Sequence, residues 1–271
     1  MRVRRFLLKT PKGLLTLVLA VLVTMAAPHE GWRLVAPGLF ASICCAGLID
    51  AVILRTRSRR WSFPTGAVLT ATIVSMVLSA QTPWWIVALA SVVGVGAKYI
   101  VRTRGANVFN PAALGIVALF PVAHMAQNWW GALPDGALAW QIALAAGGVF
   151  IAVRVNKLPL VIAFLLAYFG LFTAAAYAGD PARVAEIFRA PDLQAVLYFA
   201  CFILTDPPTS PVRHPDQLIF ATIVAVASFA IFQWTGAVYY LLGGVLIGNM
   251  WEAWRRATLR TRHVSPRVTH A

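Results

Sequence analysis

Two stretches of this 271-residue chain concentrate side chains that could do chemistry. The first runs Gly94-Val95-Gly96-Ala97-Lys98 and continues through Gly105-Ala106-Asn107-Val108-Phe109-Asn110-Pro111-Ala112. It holds an amine and two amides. Asn110 suits a helix cap, and Pro111 the first helical position, where its missing N–H costs little. The second runs Phe202-Ile203-Leu204-Thr205-Asp206-Pro207-Pro208-Thr209-Ser210-Pro211, a carboxylate and three hydroxyls among prolines. Donors and acceptors of this kind can hold a cation or the polar edge of a ring, and Thr70 adds another hydroxyl. The constellations of soluble catalysis are missing. His29, His124, His214, His263 and His270 share no ligand spacing, and no Gly-x-Ser-x-Gly, His-Glu-x-x-His or phosphate loop occurs. Cys44, Cys45 and Cys201 form neither a disulfide framework nor a metal spacing. No catalytic residue and no metal site is assigned.

The elements that must position these residues are set by composition. The chain is 60% hydrophobic and 12% charged, with a mean hydropathy of +0.75. A soluble domain carries roughly 25% charged residues. The apolar residues come in long runs such as Leu34–Leu54 and Leu158–Ala178, and about 20 helical residues cross a hydrocarbon core. Lipid offers the backbone no hydrogen-bond partners, so such runs must be helical. The expected fold is all-α, a polytopic transmembrane bundle of about ten helices. Segments fall near 14–28, 34–54, 65–81, 84–101, 111–126, 138–153, 158–178, 193–204, 218–234 and 237–251. All belong to one integral membrane domain, 1–271, in halves of about 14–126 and 138–251, followed by a basic tail, 255–271. The first segment has the basic flank of a signal peptide, but it is read as a retained helix because every later segment is also a membrane segment.

The net charge of +14 could suggest nucleic acid, yet Lys and Arg cluster between apolar runs, as in cytoplasmic loops. With the N-terminus inside and ten alternating spans, the inside receives every Lys and Arg except Arg33, Arg183 and Arg189. This solution puts both termini in the cytoplasm of a bacterial inner membrane. Several tryptophans, among them Trp61, Trp84, Trp129, Trp130 and Trp234, fall at run ends, as interfacial rings do. Ten helices divide into two five-helix halves, and an odd number inverts the second half, the plan of many transporters. Segment eight is too short for a full crossing, and the following Thr205-Asp206-Pro207-Pro208 suggests a helix break lining a cavity. Asp50 is a carboxylate inside a membrane segment and so a secondary candidate, with an ion pair to Arg55 as the structural alternative.

At these residues the chain resembles the NqrB/RnfD family, the membrane subunits shared by the sodium-pumping NADH:quinone reductase and the Rnf electron transport complex. The runs Lys98…Gly105…Asn107…Phe109-Asn110-Pro111-Ala112…Gly115 and Thr205-Asp206-Pro207…Thr209…Pro211 carry the resemblance. Asp50-Ala51…Leu54-Arg55, Gly66-Ala67…Leu69-Thr70 and Pro83-Trp84-Trp85 extend it over about residues 14–252. The resemblance implies ten helices with both termini inside. It also implies FMN attached to a threonine in Asp-x-x-Ser/Thr-Gly-Ala-Thr after helix five. The loop 127–138 has no such motif, and Thr65-Gly66-Ala67-Val68 lacks the final hydroxyl. The chain is expected to be a member without covalent FMN, since that attachment requires the hydroxyl.

The expected function is a membrane subunit in ion-coupled electron transport. Thr70, Lys98, Asn107, Asn110, Pro111, Thr205, Asp206, Pro207 and Thr209 would line an ion path or a non-covalent flavin or quinone site. The expected partners are the bilayer, redox-complex subunits or a soluble redox protein on the cytoplasmic face, and no nucleic acid. Two rival readings are a stand-alone channel or carrier for a small solute, and a docking scaffold for a soluble redox protein on the basic face.

Overall fold

The computed structural model describes residues 9–59, 61–103, 106–123, 125–134, 137–179, 188 and 190–264. The basic arm 1–8, Arg60, Arg104, Gly105, His124, Arg183, Arg189 and the tail after Val264 lie outside the described residues. So do the side chains of Arg260 and Arg262.

Ten α-helices follow one another among the described residues. They are α1 (Pro11–Glu30), α2 (Trp32–Ser58), α3 (Thr65–Val77), α4 (Trp84–Ile100), α5 (Pro111–Ala123), α6 (Leu138–Arg154), α7 (Leu158–Ala178), α8 (Ala190–Tyr198), α9 (His214–Thr235) and α10 (Tyr240–Val264). A two-residue hairpin, β1 (Arg102–Thr103) with β2 (Ala106–Asn107), links α4 to α5. The chain is a multi-pass helical membrane protein. Four helices, α1, α2, α7 and α9, are each long and apolar enough to cross a bilayer.

The helices differ in length from the expected segments. The third and fifth apolar runs extend to 81 and 126, but α3 and α5 have 13 residues each and stop at Val77 and Ala123. At 1.5 Å per residue such a helix reaches only ~20 Å, short of a ~30 Å core. Segment eight is also short: α8 ends in a five-residue π turn, Phe199–Ile203, closed by Leu204 N–H donating to Phe199 O at 3.0 Å. At the other end of the chain, α10 runs past 251 to Val264, so the expected tail begins as helix.

The layer that α3 leaves unfilled is occupied by residues 125–134. Ser79 N donates to Ala126 O at 2.9 Å and Trp129 N to Val77 O at 3.2 Å. The Trp130 indole donates to Ser75 O at 2.6 Å. Trp129 and Trp130 therefore plug the bundle, 7% and 1% exposed, rather than sitting at the lipid interface as their place at a run end suggests. A ring that finds a backbone carbonyl inside has no need of interfacial water. Trp61, Trp84 and Trp234 do face outward. Cys44 and Cys45 are also exposed, on the outer face of α2.

The closest helix pairs have the same pattern in both halves. In the first, α2 packs on α4 and α4 on α5; in the second, α7 packs on α9 and α9 on α10. Glycine allows the approach in each. A Cβ on Gly94 would overlap the Pro111 carbonyl, and one on Gly244 the Ser228 hydroxyl. The halves meet where α1 touches α6 and α5 touches α10.

Candidate functional site

The starts of α1, α3 and α5 and the ends of α2, α4, α6 and α8 gather on one face, the face that carries Lys12, Arg55, Arg57 and Arg154. They enclose a cavity of about 700 Å³. Lys12 and Leu15 come from α1, Asp50 from α2, Thr65, Gly66 and Thr70 from α3, and Lys98 and Tyr99 from α4. The hairpin gives Asn107, and Asn110 and Pro111 open α5. The break after α8 gives Phe202, Thr205, Asp206 and Pro207. Residues read from four separate stretches of sequence thus share one wall. Thr209 stands behind it and donates its hydroxyl to Asp206 Oδ2 at 2.9 Å.

Hydrogen bonding separates the residues that build the wall from those that face the space. Thr70 donates to Gly66 O at 2.9 Å, and Thr205 to Cys201 O at 2.5 Å. Asn110 is fully used: its Oδ1 accepts from Ala112 N and Ala113 N at 3.0 and 3.1 Å, and its Nδ2 donates to Ile203 O at 3.0 Å. That is the expected cap of α5, and it also ties α5 to the end of α8. The carboxylate of Asp50 accepts from the Tyr99 hydroxyl at 2.6 Å rather than pairing with Arg55, whose guanidinium lies 5.8 Å over the Trp61 ring. Arg57 covers the Tyr99 ring at 4.9 Å. Lys98 extends across the first turn of α3, where a Cβ on Gly66 would lie 3.5 Å from its ammonium. Lys98 feels the charge of Asp50 first and of Asp206 second, and Asp206 in turn feels Lys98, Lys12 and Lys157.

The loop 205–211 that presents Asp206 is held by residues that the sequence motifs do not single out. Asn249 Nδ2 donates to Thr209 O at 3.1 Å, and Arg256 donates to Pro208 O and Ser210 O at 2.7 and 3.2 Å. The Lys157 ammonium donates to Ser210 O at 3.3 Å and to Pro211 O. Burial pushes Lys157 down to about 8, against the attraction of Glu252. Glu252, 2% exposed, accepts from Arg255 and Arg256, and Arg255 reaches Asp216 at 2.8 Å. Burial of a carboxylate is tolerated when charged donors surround it in this way. The available signal was polar residues inside or beside apolar runs, Asn249 and Glu252 above all; what they touch depends on the fold.

Comparison with known proteins finds similarity over most of the chain. Residues 8–139 match the model of the NQR2, RnfD, RnfE family. The chain is 26% identical to the D component of the ion-translocating oxidoreductase complex of Alcanivorax borkumensis over 284 aligned positions, covering 81% of this chain and 82% of that protein. It is 32% identical over 123 positions to the component of the same name from Shigella flexneri, covering 42% of this chain and 35% of that protein. The family match contains Asp50, Thr70, Lys98, Asn107 and Asn110, whereas the loop with Asp206 lies beyond it. The chain is therefore similar over most of its length to the D subunit of an ion-translocating oxidoreductase complex, and its first half carries the match to the NQR2, RnfD, RnfE family.

Proposed function

We propose that this chain is the membrane subunit of an ion-translocating electron-transport assembly in a bacterial inner membrane, with both termini cytoplasmic and a non-covalent flavin or quinone in the cavity. One observation carries the reading. The interrupted ends of helices from both halves converge on a single cavity that bears unpaired donors on one side and the Asp206 carboxylate on the other. The matched helix contacts of the two halves support a pair of inverted five-helix repeats, whose meeting point is the usual working site in such folds.

The cavity suits a ring. Its volume lies within the range of small-molecule sites, and Leu15, Leu69, Ile73, Ile151 and Phe202 give it apolar walls with few polar points. Lys98 and Asn107 would hold the carbonyl edge, and Phe202 and Ile73 would cover the faces. A bound flavin or quinone supplies the capacity to take and release electrons. The protein supplies a partly enclosed, largely apolar space in which Lys98 and Asp206 respond to charge. Asp206, held in place by Thr209 and the clamped loop, is the acid whose affinity for a cation changes with that charge, as coupling requires. An open channel fits less well, because Trp129 and Trp130 fill the bundle on the side away from the cavity mouth.

Flavin content is the test. The protein is purified from its native membrane in mild detergent and precipitated with acid, and fluorescence is compared between supernatant and pellet. Stoichiometric flavin in the supernatant, or extractable quinone, is expected. Flavin in the pellet would mean covalent attachment and sink the motif argument. Neither cofactor would move the weight to a solute carrier or a docking scaffold.

A further inference from the structure

The polar groups of the cavity divide into those with partners and those without. Thr70, Thr205, Asn110, Asp50 and Asp206 each make a hydrogen bond within the protein. Several other cations near this face are engaged as well: Lys157 on loop carbonyls, Arg255 and Arg256 on Glu252, Arg55 and Arg57 over aromatic rings. Among the described residues, the Lys98 ammonium has no hydrogen bond or ion pair; Lys98 is half-buried in the cavity wall beside Gly66. The Asn107 amide beside it has none either. An ammonium that lines a cavity without a hydrogen bond or ion pair is free to engage a negative group from outside the chain.

We propose that Lys98 makes this cavity prefer the negatively charged, electron-loaded form of a bound ring over its neutral form, with Asp206 acting in the opposite direction. The proposal rests on the cofactor reading above and deepens it, because it assigns the sign and the residue of the electrostatic coupling. While the ring is neutral, the ammonium balances Asp50 and Asp206, the two carboxylates whose charge it feels. When the ring carries charge, the ammonium balances the ring, and Asp206 is left to attract a cation. Asn107, with its amide free to turn, donates to the same ring edge. Phe202 and Ile73 add apolar surface to the same wall, and a charge beside a low-dielectric wall is worth more than in solution.

The experiment uses the purified full chain in lipid nanodiscs, with riboflavin as the probe. Binding is followed by fluorescence quenching, and the midpoint potential of the bound probe by dithionite titration at mildly alkaline pH. In the wild type the bound probe is expected to be easier to reduce than free riboflavin. Lys98→Gln should weaken the preference for the reduced form about tenfold, roughly 30 mV for a two-electron couple, while Lys98→Arg retains it. Asp206→Asn should shift the potential the other way, a reading that stands even if Lys98→Gln folds poorly. Probe bound normally with the same potential in wild type, Lys98→Gln and Asp206→Asn would overturn this inference and leave the cofactor reading intact. Failure of the wild type to bind riboflavin at all would overturn this inference and leave quinone as the cofactor reading.

Discussion

Asn110 and Asn249, one from each half of the chain, are joined by a hydrogen bond of 2.8 Å from the Asn110 backbone N–H to the Asn249 side-chain Oδ1, and both residues are buried. Asn110 caps α5 and holds the end of α8, while Asn249 in α10 holds Thr209 O. Through two side chains, the start of one helix, the broken end of another and the loop of Asp206 become one unit. The rigidity of the cavity wall follows from this pair.

Replacing Asn249 with Ala should therefore cost about 2–6 kcal/mol, because it leaves a buried N–H and a buried carbonyl without partners, each worth about 1–3 kcal/mol. The check is thermal unfolding in detergent. A melting point equal to that of the wild type would show that the pair does not hold the wall.

Gly94 and Gly96 make a matched pair of substitutions. Alanine at Gly94 would drive its Cβ into the Pro111 carbonyl and force α4 away from α5, whereas alanine at Gly96 meets nothing within 4 Å. Gly94→Ala should lower the amount of folded protein and its melting temperature. Gly96→Ala should leave both at wild-type values, or raise stability slightly, as helical Gly→Ala changes do. Equal behaviour of the two variants would contradict the close α4–α5 contact.

Trp130 fills the layer above α3 and bonds to Ser75 O. Trp130→Ala should cost about 3–5 kcal/mol, the range for a large buried aromatic. Trp130→Phe, which keeps most of the volume and loses the indole donor, should cost less. Chemical denaturation of the three proteins gives the order, and a silent Trp130→Ala would mean the ring is not a plug.

Lys157 gives a pH dependence of known sign. Its pKa falls from the ordinary lysine value to about 8 in the folded protein, so between these values the unfolded chain holds a proton that the folded one has released. Stability should therefore rise with pH above about 8, up to the ordinary lysine value. In Lys157→Met that rise should disappear, although the carbonyls of Ser210 and Pro211 lose their donor. Unfolding measured across this pH range decides it. A rise of the same size in both proteins would assign it to another group.

The class of fold was legible in residues alone. Runs such as Leu158–Ala178 can only be helical in lipid, and the spacing of basic clusters counted the helices, because each effect is local and summed along the chain. Asn110-Pro111 announced the start of α5 for the same reason: a cap acts within three residues. The motifs also pointed to Lys98, Asn107, Thr205 and Asp206, though as separate stretches.

Only the tertiary structure decided what these residues face. Periodicity and hydropathy cannot say that α3 stops at Val77, because the apolar run continues and it is the 125–134 segment, arriving from elsewhere, that takes over its layer. The same limit hid Trp130 inside the bundle and gave Asp50 to Tyr99 rather than Arg55. It also hid the clamp of Lys157, Asn249 and Arg256, whose contacts with the 205–211 loop span some forty to fifty residues of sequence. Partners so far apart are chosen by how whole helices pack, and a sequence read one segment at a time does not contain that choice.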